Sequence, residues 1–106
     1  GEKIATIKGN TKDVEIVVST EMEGSVRVGI KPEDIILSRT SLECSARNIL
    51  EGTIIGMEEN SAGYKIVVNI GIPLIVTVTR RSVNALGFQL GDSIFVVFKA
   101  MSVIVV

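Results

Sequence analysis

Apolar and polar residues alternate along most of the chain. Val26, Val28 and Ile30, for example, are separated by Arg27 and Gly29. A period of two is typical of a β-strand with one buried face. Short stretches containing glycine, asparagine or proline interrupt the alternation and indicate turns. Taken along its whole length, the pattern predicts about nine short strands.

One predicted strand is much longer than the others, and only one segment favours a helix. The long strand, residues 47–58, contains Gly52 and Gly56, which indicate bulges or sharp bends of the kind that small barrels require. Residues 80–86 favour a short helix that Thr79 caps and Gly87 ends. The predicted fold is therefore all-β, an OB-like small β-barrel with one short helix inserted at about residues 80–86.

The C-terminal tail, residues 103–106, is wholly apolar. A free strand edge of that composition would promote aggregation. We therefore expect the first half of the chain or a second copy to cover the tail. A homodimer is the favoured arrangement.

Composition excludes several classes of function. The 106 residues carry a net charge of −1 and no histidine, and 4% of them are aromatic. Catalysis or zinc binding through histidine is therefore excluded, and a nucleic-acid partner is disfavoured. Cys44 is the only cysteine, which fits a reducing compartment. No apolar run approaches the roughly 20 residues of a membrane span, so we expect no membrane insertion.

Three groups of hydrogen-bond donors are candidates for chemistry. Residues 45–48 open the long strand, Thr79 and Ser82 flank the helix start, and Lys99 ends an apolar strand. Each group has an ordinary alternative: a solvated strand start, a helix cap, and a lysine that reaches water. Because the three groups contain no carboxylate, together they would suit a small dianion.

Charge at the start of the helix is a further hint. Arg80 and Arg81 lie where positive charge is unfavourable, which indicates an anion or a carboxylate nearby. The acidic residues are scattered, and Glu58 and Glu59 point to opposite strand faces. Neither a calcium loop nor a carboxylate pair suited to glycoside hydrolysis appears. A metal site is not expected, and an enzyme is the least favoured class.

The stretch Ser-Ala-Arg-Asn at residues 45–48 resembles the opening of molbindin (Mop-type) domains, and the similarity continues to residue 106. This resemblance implies molybdate or tungstate as ligand, bound at an interface between two barrels, and no organic cofactor. The ligands that it implies are Ser45, the Ala46 backbone N–H, Arg47, Thr79, Ser82 and Lys99.

Residues 28–35, Val-Gly-Ile-Lys-Pro-Glu-Asp-Ile, resemble a signature of the C-terminal regulatory domains of ABC-importer ATPases, with Lys31 replacing the usual arginine. The two resemblances imply a β-rich segment at residues 1–44 that packs on a molbindin-like barrel at residues 45–106. No phosphate-binding G-x-x-x-x-G-K-[ST] motif is present, so this chain is expected to be non-catalytic.

The order of these signatures implies an oxyanion sensor that inhibits import by feedback, at the cytoplasmic face of the membrane. Its partners would be a second copy, the ATPase domain and the membrane permease. The alternative is a structural or dimerisation barrel of an importer for another substrate, without a small ligand. An OB-like nucleic-acid binder is a weaker alternative, because aromatic residues are few.

Overall fold

The computed structural model describes all 106 residues and contains nine β-strands, one α-helix and two 3₁₀ turns. The strands are β1 (Glu2–Ile7), β2 (Val14–Ser19), β3 (Val28–Ile30), β4 (Ile36–Ser38), β5 (Asn48–Asn60), β6 (Gly63–Asn69), β7 (Pro73–Val78), β8 (Ser93–Phe98) and β9 (Val103–Val105). The helix, α1 (Arg80–Leu86), lies between β7 and β8, and the 3₁₀ turns span Pro32–Asp34 and Ala100–Ser102. The prediction of an all-β fold with one helix at residues 80–86 is confirmed.

Five strands form one antiparallel sheet in the order β4-β8-β5-β6-β7. The long strand β5 pairs with β8 along residues 48–53 and with β6 along residues 53–60. Because β5 passes from one neighbour to the other, the sheet curls instead of lying flat. This curled sheet, with its single helix, is the predicted OB-like small barrel.

Two glycines lie where β5 changes its pairing partner. A Cβ atom on Gly52 would lie 2.8 Å from the backbone oxygen of Asn69 and equally close to two core side chains. The register between β5 and β6 shifts between Ile54 and Gly56, which marks a β-bulge. The predicted bulge in this strand is therefore confirmed, and the close approach at Gly52 is an additional finding.

The first 44 residues pair and pack with the rest of the chain. β1 and β2 form an antiparallel hairpin, β3 pairs with β9, and β4 forms one edge of the five-stranded sheet. Val14 of β2 and Leu37 of β4 are buried in the same apolar cluster as Ile66 and Val96 of the barrel. Strands from both sides of residue 44 thus share one core. The division into segments 1–44 and 45–106 stays a prediction.

The apolar C-terminal tail is covered from within the chain. In the β3–β9 pair, Val28 lies opposite Val105 and Ile30 opposite Val103. Backbone hydrogen bonds of 2.8 and 2.9 Å between Arg27 and Val106 extend this ladder. We expected either the first half of the chain or a second copy to cover this tail, and the structure shows the first half doing so. The homodimer stays a prediction.

Asn48, the last residue of the Ser-Ala-Arg-Asn stretch, joins β2 to β5 through its side chain. Its Oδ1 accepts a hydrogen bond from the Val17 backbone N–H at 2.7 Å, and its Nδ2 donates to the Val17 carbonyl at 2.9 Å. The residue is 2% exposed. Val17 pairs with Ile4 of β1 on one side, and on the other side the Asn48 amide takes the place of a neighbouring strand. The amide thereby anchors the β1–β2 hairpin to the start of the long strand.

Candidate functional site

The hydroxyl groups of Thr79 and Ser82 lie together at the start of α1. The Oγ1 of Thr79 accepts a hydrogen bond from the Ser82 backbone N–H at 3.1 Å, and it donates to the Ser82 Oγ at 2.9 Å. Gly87 ends the helix in the left-handed conformation, with φ of 64°. The predicted cap and stop are confirmed. The hydroxyl hydrogen of Ser82 is left free to donate to a ligand.

A carboxylate neutralises the first arginine of α1. The Nε of Arg80 lies 2.9 Å from Oε2 of Glu59, and its Nη2 donates to the Asn60 carbonyl at 3.1 Å. Hydrogen bonding to Arg80 is the main reason why the pKa of Glu59 lies below its ordinary value, with a smaller contribution from Tyr64. Of the two expected neighbours of this arginine, an anion or a carboxylate, the chain itself supplies the carboxylate.

We expect this ion pair to make stability depend on pH in the acidic range. A carboxylate with a depressed pKa stabilises the fold above its unfolded pKa and loses that contribution as pH falls through its folded pKa. Urea unfolding of wild type and Glu59→Gln should therefore differ above about pH 4.5, the ordinary value, and converge below it. Glu58→Gln, on the opposite strand face, should follow wild type. Parallel pH curves for wild type and Glu59→Gln would contradict the pairing.

The other candidate donors lie around the start of β5. Ser45 and Arg47 are exposed, and Ala46 is partly buried. Asn48, the first residue of β5, pairs with Phe98, the last residue of β8. Because the two strands are antiparallel, Arg47, just before β5, and Lys99, just after β8, lie at the same end of the sheet. Lys99 is exposed and forms no ion pair with a carboxylate. Two positive charges are thus carried at one end of the β5–β8 pair.

Arg47 has a partner that the sequence pattern did not indicate. Its Nε donates to Oε1 of Glu2 at 3.1 Å, and the two side chains are 61% and 49% exposed. The donor groups contain no carboxylate of their own, but Glu2 of β1 places one beside Arg47. The two residues are 45 positions apart, and only the docking of the β1–β2 hairpin brings them together. An exposed ion pair of this kind is weak and readily exchanged.

The six candidate ligands form two groups in the chain. Arg47 and its neighbours adjoin the first residue of β5, whereas Thr79 follows β7, whose Val78 pairs with Tyr64 near the other end of β5. No hydrogen bond or ion pair links the two groups. A cavity of about 250 Å³ beside α1 is lined by Thr79 and Ser82 but by none of the other four candidates. A single chain therefore does not gather all six residues into one pocket.

Away from the candidate ligands the surface carries a polar cavity of about 290 Å³, lined by Lys12, Glu51 and Asn69 among others, and an apolar groove. This groove, of about 370 Å³, is lined mainly by apolar side chains from β3 and the β6–β7 hairpin. No group of three or more histidine, cysteine, aspartate or glutamate residues is placed to hold a metal ion. Cys44 is exposed and unpaired. The helix is too short and too polar to span a membrane.

The curled sheet and its single inserted helix define an OB-like barrel, which carries groups of hydrogen-bond donors at its ends. The chain belongs to the TOBE domain family, whose pattern matches residues 44–105. This match starts one residue before the Ser-Ala-Arg-Asn stretch and ends at the last residue of β9. The family assignment confirms the resemblance to the regulatory domains of importer ATPases.

Two relatives extend the similarity to most of the chain. The molybdate/tungstate import ATP-binding protein WtpC of Pyrococcus abyssi is 38% identical over 100 residues, which are 91% of this chain and 29% of the relative. WtpC of Pyrococcus horikoshii is 37% identical over 92 residues, 86% of this chain and 27% of that protein. The chain thus spans less than a third of the length of these relatives.

A solved structure shares the fold. The cytoplasmic molybdate-binding protein ModG, in a crystal form with molybdate bound, superposes with a TM-score of 0.74 and 27% identity, covering 88% of this chain and 74% of ModG. The TOBE match leaves out the first 43 residues, so a superposition of that extent takes in much of them as well. The likeness to ModG therefore concerns the β-rich N-terminal segment as well as the barrel.

Proposed function

We propose that this chain is the oxyanion-sensing regulatory domain of an ABC importer's ATP-binding subunit. In this proposal it binds molybdate or tungstate and inhibits import when the anion accumulates in the cytoplasm. The observation that carries the proposal is the likeness to ModG with molybdate bound, over 88% of the chain. Similarity to two molybdate/tungstate import ATP-binding proteins supports the same ligand and the transport context.

The proposed ligands are all hydrogen-bond donors. Arg47 and Lys99 would balance the two negative charges of the anion, while Ser45 and the Ala46 backbone N–H would bond to its oxygens. Arg47 would exchange the Glu2 carboxylate for the anion, an exchange of one exposed charge-assisted bond for another. Once the anion has displaced Glu2 from Arg47, no carboxylate acceptor is left beside it, and this would disfavour protonated phosphate, whose hydroxyl needs an acceptor. The domain itself would be non-catalytic and would need no organic cofactor.

We propose further that two copies complete the pocket. Thr79 and Ser82 lie near one end of β5, while Arg47 and Lys99 adjoin its other end. This separation supports a pocket in which one copy supplies the cations and the other supplies the hydroxyls. Exposed Ile36 and Leu86 border the hydroxyl pair and would be covered in such an interface. Excluding water there would strengthen each bond to the anion.

Feedback inhibition of import would follow from the coupling between anion binding and the arrangement of the ATPase domains. A ligand shifts an equilibrium only by its difference in affinity between the two states. If the anion binds only where two domains meet, it stabilises the arrangement of the attached ATPase domains that brings the regulatory domains together. The ATPase domains and the membrane permease would be the partners of this domain in the parent protein, at the cytoplasmic face of the membrane.

Mixing two defective variants tests the shared pocket. Arg47→Ala and Ser82→Ala should each bind tungstate poorly, because every pocket in either dimer lacks one ligand. In a mixed dimer, one pocket combines the intact Arg47 of one chain with the intact Ser82 of the other. We therefore expect mixing to restore binding at one pocket for each mixed dimer, measured by calorimetry after the subunits have exchanged.

The same mixture separates the alternatives. If Arg47 and Ser82 of one chain served the same anion, every chain in the mixture would carry a defect, and mixing would restore nothing. If neither variant differed from wild type, the assignment of these ligands would be wrong. Sedimentation of each sample, with and without tungstate, provides the control for dimer formation.

A further inference from the structure

The connector that follows β4 reaches across to the far end of α1. Arg39 donates from Nε to the Leu86 carbonyl at 3.1 Å and from Nη2 to the same carbonyl at 2.9 Å. Its Nη2 also donates to the Gly87 carbonyl at 2.8 Å. The last carbonyls of a helix have no partner within the helix. Arg39 therefore supplies, from 47 residues away, the partners that the C-terminal end of α1 lacks.

The same side chain also holds the turn that follows α1. Its Nη2 lies 2.9 Å from Oδ2 of Asp92, and that oxygen accepts a hydrogen bond from the Gln89 backbone N–H. The guanidinium carbon of Arg39 lies 5.2 Å from the centre of the Phe88 ring, which is buried. One cation thus connects β4, the end of α1 and the turn into β8.

α1 depends on these contacts because it is short. Seven residues are too few for a helix to be stable alone, and Val83 is its only buried residue. The helix is held at its start by Thr79 and by the Arg80–Glu59 pair, and at its end by Arg39. Loss of the contact at one end would allow the helix to tilt or fray, and the position of Ser82 would change with it.

We propose that Arg39 is a positioning residue for the oxyanion pocket. By fixing α1 against β4, it sets where Thr79 and Ser82 present their hydroxyls, although it touches no candidate ligand itself. The inference rests on the proposed function, since it assigns Arg39 a role toward the same pocket. It also makes the connector, which joins the N-terminal segment to the barrel, part of the structure that determines affinity for the anion.

The geometry requires arginine at this position. The planar, forked guanidinium group of Arg39 contacts the carbonyls of Leu86 and Gly87 and the Asp92 carboxylate at once, and it lies over the Phe88 ring. A lysine ammonium keeps the charge but cannot reproduce the fork. Arg39→Lys should therefore recover only part of what Arg39→Ala loses, whereas a purely electrostatic role would allow lysine to replace arginine fully.

The test combines two measurements on Arg39→Ala and Arg39→Lys. Hydrogen exchange of the backbone amides of Ser82, Val83 and Gly87 reports on α1 without any ligand, and calorimetry gives the tungstate Kd. We expect faster exchange at these amides and a Kd raised by about tenfold for Arg39→Ala, with Arg39→Lys intermediate. Arg81→Lys, which keeps the charge on the exposed face of the same helix, should change neither measurement.

A second control separates positioning from general stability. Val14→Ala removes buried methyl groups from β2, a strand that forms no hydrogen bond with α1, and should lower stability while leaving the Kd unchanged at a temperature where the fold is intact. Unchanged exchange in α1, or an unchanged Kd in Arg39→Ala, would overturn the proposal. If wild type itself bound no tungstate, the proposed function would fail, while the exchange data would still decide whether Arg39 positions Ser82.

Discussion

Replacing Arg47 by alanine is expected to weaken tungstate binding by about a hundredfold or more. The substitution removes one of the two positive charges proposed for the pocket, together with its charge-assisted hydrogen bonds. A hydrogen bond to a charged group contributes about 1.5–3 kcal/mol, and leaving the anion with unmatched charge adds to the loss. Because Arg47 is exposed, the substitution should leave stability nearly unchanged. Calorimetry and thermal unfolding of the same samples measure both quantities.

Two matched variants make the Arg47 result specific. Arg27→Ala removes an exposed arginine from a position next to β3, far along the chain from the candidate ligands, and should bind as wild type does. Glu2→Gln removes the carboxylate that competes for Arg47 and should bind at least as tightly as wild type. Binding by Arg47→Ala at wild-type affinity would exclude Arg47 as a ligand.

Replacing Gly52 by alanine is expected to cost about 3 kcal/mol of unfolding free energy. The new Cβ would lie 2.8 Å from the Asn69 backbone oxygen and from side-chain atoms of Val68 and Ile70, and the backbone atom cannot move without opening β5 and β6. For a domain of about this size, such a loss lowers Tm by roughly 10 °C or more. Thermal unfolding followed by circular dichroism measures it.

Gly56 provides the control in the same strand. There a Cβ would lie 3.4 Å from Val67, at ordinary contact distance, so Gly56→Ala should cost much less than Gly52→Ala. The contrast isolates the effect of steric overlap from the effect of replacing a strand glycine in general. Equal Tm values for the two variants would mean that β5 and β6 are not in close contact at Gly52.

Features with a local cause could be predicted from the sequence. The alternation of side chains identified the strands because it repeats the geometry of a single strand. The helix limits at Thr79 and Gly87 were predictable because a cap and a left-handed stop involve only neighbouring residues. The bulge near Gly56 was indicated by glycines inside an otherwise regular strand.

Features that depend on pairing between distant segments could not be predicted in the same way. Alternation shows which face of a strand is buried but not which strand lies beside it. The sequence therefore left open whether the first half of the chain or a second copy pairs with the C-terminal tail, and the structure shows pairing with β3. The Glu2–Arg47 pair and the contacts of Arg39 with α1 join residues more than 40 positions apart. Their side chains meet only after the sheet has curled.

The candidate ligands were found by resemblance and chemistry together. The donor groups at residues 45–48, at Thr79 and Ser82, and at Lys99 indicated a site for a small dianion, and similarity to molbindin domains then implied molybdate or tungstate and the ligand role of each residue. The structure adds that Thr79 is already a helix cap and that Arg47 already has a carboxylate partner. The exposed Arg47–Glu2 pair can exchange for an anion. Thr79 donates its hydroxyl hydrogen to Ser82, so it would have to turn that hydrogen away from Ser82 to bond to an anion, whereas the hydroxyl hydrogen of Ser82 is free.

Calorimetric titration of this chain with tungstate, with sulfate as the control anion, tests the central claim most directly. The account predicts saturable binding of tungstate, no comparable binding of sulfate, and loss of binding in Arg47→Ala. A titration without heat or saturation at high tungstate concentration, on protein shown to be folded and dimeric, would contradict it. The chain would then be a structural barrel without a small ligand.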